Sequence, residues 1–108
     1  MRLYGLKNCD TCRKARAALA AAGHDVDLVD VRETPLSPQT LARILDSFGD
    51  AVVNRRSTTW RGLSEPARAA APAELLAAHP ALMKRPLIEA DGALYLGWDA
   101  ATRAALLP

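Results

Sequence analysis

The stretch Leu6-Lys7-Asn8-Cys9-Asp10-Thr11-Cys12-Arg13-Lys14 decides how the rest of this 108-residue chain is read. It holds both cysteines of the sequence, and it lies where a short apolar run meets a long alanine-rich one. The apolar run, Arg2-Leu3-Tyr4-Gly5-Leu6, predicts a strand. From Thr11 to Ala22 nothing breaks a helix, alanine is the best helix former, and Gly23 stands where a left-handed residue often closes one. Cys9 is therefore expected in the loop or at the N-cap, with Cys12 in the first turn. Positions three apart on a helix share nearly one face, so both sulfurs can point the same way.

That placement suits a reactive thiol. The nucleophile is the thiolate, and an ordinary cysteine, with pKa about 8.5, is mostly protonated at neutral pH. Unpaired N–H groups and the positive end of the helix dipole favour an anion at a helix start. Lys7, Arg13 and Lys14 add positive charge nearby. Three plainer readings compete. A structural disulfide over so short a loop would contribute little chain-entropy stabilisation. A zinc site lacks a second cysteine pair, and His24 and His79 stand without ligand spacing, so no metal site is expected. Small buried core residues remain an alternative, because free cysteine is often buried.

Composition narrows the class. The length fits one domain, residues 1–108, and hydrophobic residues make up 50% of the chain, which argues against disorder. There is no charged-then-apolar leader and no long apolar run, so neither a signal peptide nor a membrane span is expected. Two cysteines suit a reducing cytoplasm better than a disulfide scaffold. A net charge of +2 is too small by itself to argue for nucleic acid. The distribution is more telling. Lys7, Arg13, Lys14, Arg16, Arg55, Arg56, Arg61, Lys84 and Arg85 fall in three short segments whose one acid is Asp10. Brought together they would form an anion site around the thiols; kept apart they would be three solvated faces.

Taken in order, Val26 to Val31 predicts a second strand, making a β-α-β unit with parallel strands. Asp25, Asp27 and Asp30 are expected to be solvated. Ser37 is placed to cap a second helix with Pro38 at its first position, Leu36 stapled onto Leu41, and Gly49 at its end. Its stripe Leu41, Ile44, Leu45, Phe48 reads as core. Asn54 to Gly62, polar and basic with one tryptophan, predicts a loop or irregular turn, better suited to gripping a carboxylate, phosphate or oxyanion by arginine than to stacking on nucleic acid. Short helical patches follow near residues 64–71 and 73–79, bounded by Pro72 and Pro80. A strand after Pro86, an Asp91-Gly92 turn and a returning strand to Trp98 predict a hairpin, and Asp99 can cap a last helix from Ala100 to Leu107.

The order β-α-β, helices, β-β-α, with a thiol pair at the first βα junction, resembles the thioredoxin superfamily. More narrowly the chain resembles the arsenate reductase/Spx family, related to glutaredoxin, and within it the YffB-type subgroup. The residues that carry the resemblance are Leu3 to Thr11, Asn54 to Leu63 with Thr58-Thr59-Trp60-Arg61, Lys84 to Ile88, and Leu96-Gly97-Trp98. The fold implied is α/β and thioredoxin-like, a mixed four-stranded sheet with a helical insert over about residues 36–82. The resemblance places Cys9 on the nucleophile, Arg85 on the arginine of an Arg-Pro motif close to it, and Pro86 on the superfamily's cis-proline. Arg56, or else Arg55, falls on an arginine of the insert that helps bind an oxyanion, and Lys7 and Asn8 join the substrate-binding set. Cys12 has no counterpart needed in arsenate reductases, where one cysteine works with glutathione or glutaredoxin, whereas Spx-type members carry the pair. Of the three arginines that arsenate reductases use, the last has no clear match; only Arg103 lies downstream.

The resemblance implies a cytoplasmic thiol-dependent reductase with catalytic residues Cys9, Cys12 and Arg85. Its co-substrate would be glutathione or glutaredoxin, its substrate a small oxyanion or a disulfide, and it would need no tightly bound cofactor. Neither a membrane nor direct nucleic-acid contact is expected. The alternative is an Spx-like redox-sensing regulator that binds RNA polymerase without catalysis.

Overall fold

The computed structural model describes residues 1–108. The chain forms two units, residues 1–30 with 85–108, and residues 31–84.

In the first unit, β1 (Arg2–Gly5) leads through a turn into α1 (Asp10–Ala21), and β2 (Asp27–Asp30) returns parallel to β1 with Leu3 opposite Leu28. β3 (Leu87–Ala90) pairs antiparallel with β1, and β4 (Ala93–Leu96) pairs antiparallel with β3. The sheet order is β2-β1-β3-β4, the mixed four-stranded sheet implied by the resemblance. Its hairpin turns on Asp91 and Gly92, both with positive φ (50° and 80°), as a tight hairpin turn requires. α6 (Ala100–Leu106) closes the unit, with Asp99 Oδ1 accepting from Thr102 N at 2.9 Å. Leu3, Cys12, Ala15, Leu19, Ile88, Ala90 and Leu106 form its core. His24 Nε2 donates to the Leu106 carbonyl at 2.8 Å and ties the end of α1 to the end of α6.

The second unit is built from short pieces. α2 (Pro38–Phe48) starts as its sequence predicts, with Ser37 accepting from Thr40 N and Pro38 in the first turn, and it ends at Gly49 with φ 56°. Ile44 is fully buried, while Leu41, Leu45 and Phe48 are half-buried along the same stripe. A 3-10 turn (Gly49–Val52), α3 (Thr58–Arg61), α4 (Glu65–Arg68), α5 (Pro72–Ala78) and a second 3-10 turn (Pro80–Leu82) follow. The expected loop at residues 54–62 thus contains a one-turn helix. Ser57 Oγ accepts from Trp60 N at 3.1 Å, so the serine hydroxyl replaces a missing backbone acceptor and lets the turn close. The middle of the unit is stitched to its C-terminal end by the Val53–Met83 bridge, with Asn54 N donating to Leu82 O and Lys84 N to Val52 O. Val31, Leu36, Leu41, Leu76 and Met83 are among the residues lining a small apolar cavity of about 120 Å³. No helix is long and apolar enough to cross a membrane.

Candidate active site

The turn after β1 fixes the thiols. Cys9 N donates to Leu6 O at 3.1 Å and Arg13 N to Cys9 O at 3.0 Å, so Cys9 is the N-cap residue, extended at φ −86° and ψ 120°. Cys12 falls in the first turn of α1, as its spacing predicts, and the two cysteines are free thiols. Their surroundings differ sharply. Cys9 is half-buried, whereas Cys12 is completely buried among Leu3, Ala15, Leu19 and Ile88. Gly5 makes that burial possible: any Cβ at this position would run into Cys12 Sγ. Nothing in the sequence pattern marks Gly5 for this role, because the sulfur it accommodates arrives from a helix on the far side of a turn.

Burial alone would raise the pKa of Cys9, but three neighbours outweigh it and the net shift is downward. They are the Cys12 backbone N–H, the Cys12 thiol and the Arg85 guanidinium, each of which favours sulfur as an anion. The Cys9 side chain makes no full capping bond, so the Cys12 N–H acts here as a close dipole rather than a short hydrogen bond. Cys12 behaves oppositely. Burial pushes its thiol up to about 11, and the charge on Cys9 adds to the rise, although the Leu6 backbone and Arg85 pull the other way. The arrangement favours the proton on Cys12, whose thiol donates toward Cys9, and eases ionisation of Cys9 relative to an ordinary cysteine.

Arg85 and Pro86 enter from the segment before β3. The Arg85–Pro86 peptide is cis, Pro86 is buried, and its carbonyl accepts from Gly97 N at 2.7 Å. Lys7 and Asn8 are exposed in the turn before Cys9. The Lys7 amide donates to Asp30 Oδ2 at 3.0 Å, and the Lys7 carbonyl accepts from Arg13 Nε at 2.9 Å. Asp30 corrects the expectation of a solvated strand-edge carboxylate. It is 5% exposed because β2, parallel to β1, delivers it to the amide at the end of β1. Asp27 stays exposed as expected. Asp30 is the residue of this site that sequence reasoning missed, since its partner lies 23 positions away.

Arg55 and Arg56 belong to the second unit, where they line an open hollow with Asp50, Asn54 and Lys84. Asn54 Oδ1 accepts from Arg56 N at 3.0 Å and shapes the turn. The Arg55 guanidinium sits over Trp60, 5.4 Å from the ring centroid, and Arg68 does the same at 5.5 Å while donating to the Trp60 and Arg61 carbonyls. Arg103 lies exposed on α6, as expected for a helix residue. No group of three or more His, Cys, Asp or Glu residues is placed to hold a metal ion.

The ArsC family model matches residues 4–106. The chain is 39% identical over 102 residues to an uncharacterized protein of Haemophilus influenzae, covering 90% of each. It superimposes on a solved YffB protein with a TM-score of 0.88 at 34% identity, over 99% of this chain and 98% of the other. On an arsenate reductase (ArsC) related protein from Brucella melitensis the TM-score is 0.74 at 39% identity, over 96% and 91% of the two chains. A thiol pair at the head of α1, a cis-proline leading into β3, and a match over nearly the whole length lead to one conclusion: the chain belongs to the ArsC family.

Proposed function

We propose that this protein is a thiol-dependent reductase that uses the Cys9 thiolate and draws its electrons from glutathione or a glutaredoxin. The observation that carries the proposal is the asymmetry of the pair: a half-exposed Cys9 at the head of α1, whose ionisation Cys12 and Arg85 favour, beside a fully buried Cys12 whose thiol is pushed up. Membership of the ArsC family and likeness to an arsenate reductase related protein support the reaction class.

In the reaction proposed, the Cys9 thiolate attacks one sulfur of a disulfide or a glutathione mixed disulfide. The other sulfur leaves as a thiolate with the electron pair of the broken bond, and Cys9 is left in a new mixed disulfide. A second thiol attacks that bond, becomes oxidised and returns Cys9 to the thiolate. Arg85 steadies the negative charge throughout, and the same charge would suit a small oxyanion as substrate. Cys12 is buried and holds its proton, so glutathione is the readier second thiol, and the first duty of Cys12 is as donor to Cys9. Lys7, Asn8, Pro86 and the Arg55–Arg56 pair are assigned to substrate binding. All electrons come from thiols, so the scheme calls for no tightly bound cofactor, and a reducing compartment such as the cytoplasm is its natural setting.

Mass spectrometry after mixing with oxidised glutathione tests the scheme. Wild type and Cys12→Ser should carry one glutathione on Cys9, released by further glutathione, while Cys9→Ser should carry none. An accessible Cys9 that forms no adduct would turn the reading toward a binding protein.

A further inference from the structure

One face of α1 has no part in the chemistry so far. Arg13, Arg16, Ala17 and Ala20 recur at helical spacing along it, all exposed, and with Lys7 and Leu28 they line an open groove. The groove runs from the thiol end of α1 toward its C-terminal end, with β2, an edge strand of the sheet, supplying Leu28 on the other side. Its charge is graded. Lys7, Arg13 and Arg16 stand at the end nearest Cys9; the alanines and Leu28 make a small, apolar floor beyond. Every charged residue lining it is positive.

Arg13 is set in place before any ligand arrives. Its Nε donates to the Lys7 carbonyl at 2.9 Å, which joins the helix to the turn and leaves both Nη groups for a carboxylate. A groove cationic at one end and apolar at the other matches a chain segment that carries acidic and apolar side chains together.

We propose that this flank of α1 is a docking groove for an acidic, partly apolar segment of a partner protein, which it aligns with Cys9. The binding half of the proposal stands by itself; the alignment half rests on Cys9 being the reactive thiol. Because Lys7 lies two residues before Cys9, a disulfide next to such a segment is presented to the thiolate, and one flanked by basic residues is repelled.

The test uses the full chain and three short synthetic peptides built around a central serine. One alternates Glu with Leu, one has Lys for every Glu, and one has Gly for every Leu. Fluorescence anisotropy should show the Glu–Leu peptide binding at least about tenfold more tightly than either of the others, with the affinity falling as salt is raised. Arg16→Gln and Ala17→Glu should each weaken it by about fivefold or more, and Arg103→Gln on α6 should leave it unchanged. Binding that ignores Arg16→Gln and Ala17→Glu, or that is equal for the Glu–Leu and Glu–Gly peptides, would overturn the groove. The same peptides with cysteine at the centre, activated as mixed disulfides with thionitrobenzoate, then report the rate of attack by Cys9. A preference for the acidic peptide that Arg16→Gln abolishes supports alignment; equal rates refute alignment and leave the reductase standing. If neither peptide reacts while the acidic one binds, the reductase reading fails and the groove survives.

Discussion

The two units hold their functional side chains by different means. In residues 1–30 with 85–108, a four-stranded ladder fixes the backbone, and the site is a by-product of its register: parallel pairing delivers Asp30 to the Lys7 amide, and Gly5 opens the space that Cys12 fills. In residues 31–84 there is no strand longer than a single bridge. Side chains there set the turns, with Ser37, Ser57 and Ser64 capping helices and Asn54 bonding the Arg56 amide. The difference teaches where precision comes from. A sheet places atoms through many cooperative bonds, so its site should be rigid and sensitive to any change of volume. A chain of caps places atoms through one bond at a time, so its arginines should be adjustable and tolerant. That fits the roles proposed for each: a nucleophile at Cys9 in the first unit and anion binding by Arg55 and Arg56 in the second.

The largest effect is expected at Cys9, the proposed nucleophile. Cys9→Ser should lower thiol–disulfide exchange on the order of a thousandfold or more, measured as release of thionitrobenzoate from its disulfide, because no other exposed thiol can replace it. Arg55→Gln or Arg56→Gln should leave most of that rate intact and act on substrate affinity instead. Equal losses at Cys9 and at either arginine would erase the distinction drawn between the units. Next in size is Gly5→Ala. Its methyl group would meet Cys12 Sγ, so denaturant unfolding should show a loss of about 1–3 kcal/mol. The double variant with Cys12→Ala should recover most of it, since the clash is removed with the sulfur. An unchanged midpoint would mean that the ladder yields more readily than argued.

Much of the first unit is legible without a structure, and the reason is that its signals are local. Asp91-Gly92 specifies the hairpin turn, Asp99 caps α6, and the alanine run after Thr11 gives α1. Cys9 is placed at the helix start by the same logic. What local patterns cannot supply is which of two thiols is buried, because Cys12 is judged by Gly5, Leu3 and Ile88, none of which belongs to its helix. Asp30 misleads for the same reason: a carboxylate on a strand reads as solvated until the parallel neighbour that supplies its amide partner is added. In the second unit Ser37-Pro38 announces α2, yet Ser57 fails to announce α3. Thr58 and Thr59 are poor helix formers, and the turn is held by Arg68 donating to the Trp60 and Arg61 carbonyls from outside it.

A finer test concerns charge. Cys9 sits below the ordinary thiol pKa partly because of Arg85, so Arg85→Gln should raise the midpoint of its iodoacetamide reaction-rate profile and slow alkylation at neutral pH. With Cys12 at about 11, that second thiol should stay unlabelled in folded protein throughout the neutral range. A profile for Arg85→Gln that overlays the wild type would show that the N–H and thiol of Cys12 hold the anion without help.

The smallest effect separates the units most cleanly. Ser57→Ala removes one cap, that of α3, and should cost about 1 kcal/mol. Whether this appears as global or local loss depends on how far the turn is coupled to what surrounds it. If caps act singly, hydrogen exchange of the Trp60 and Arg61 amides should quicken while the amides of β1 and β3 keep their protection. The Arg55 guanidinium would then lose its fixed place over Trp60, and the tryptophan emission should change in a Trp98→Phe background, where Trp60 is the one reporter. Faster exchange in β1 and β3 as well would mean that the turn is locked into the sheet's cooperative unit. In that case the arms would be as rigid as the nucleophile, and the division of labour between ladder and caps would fail.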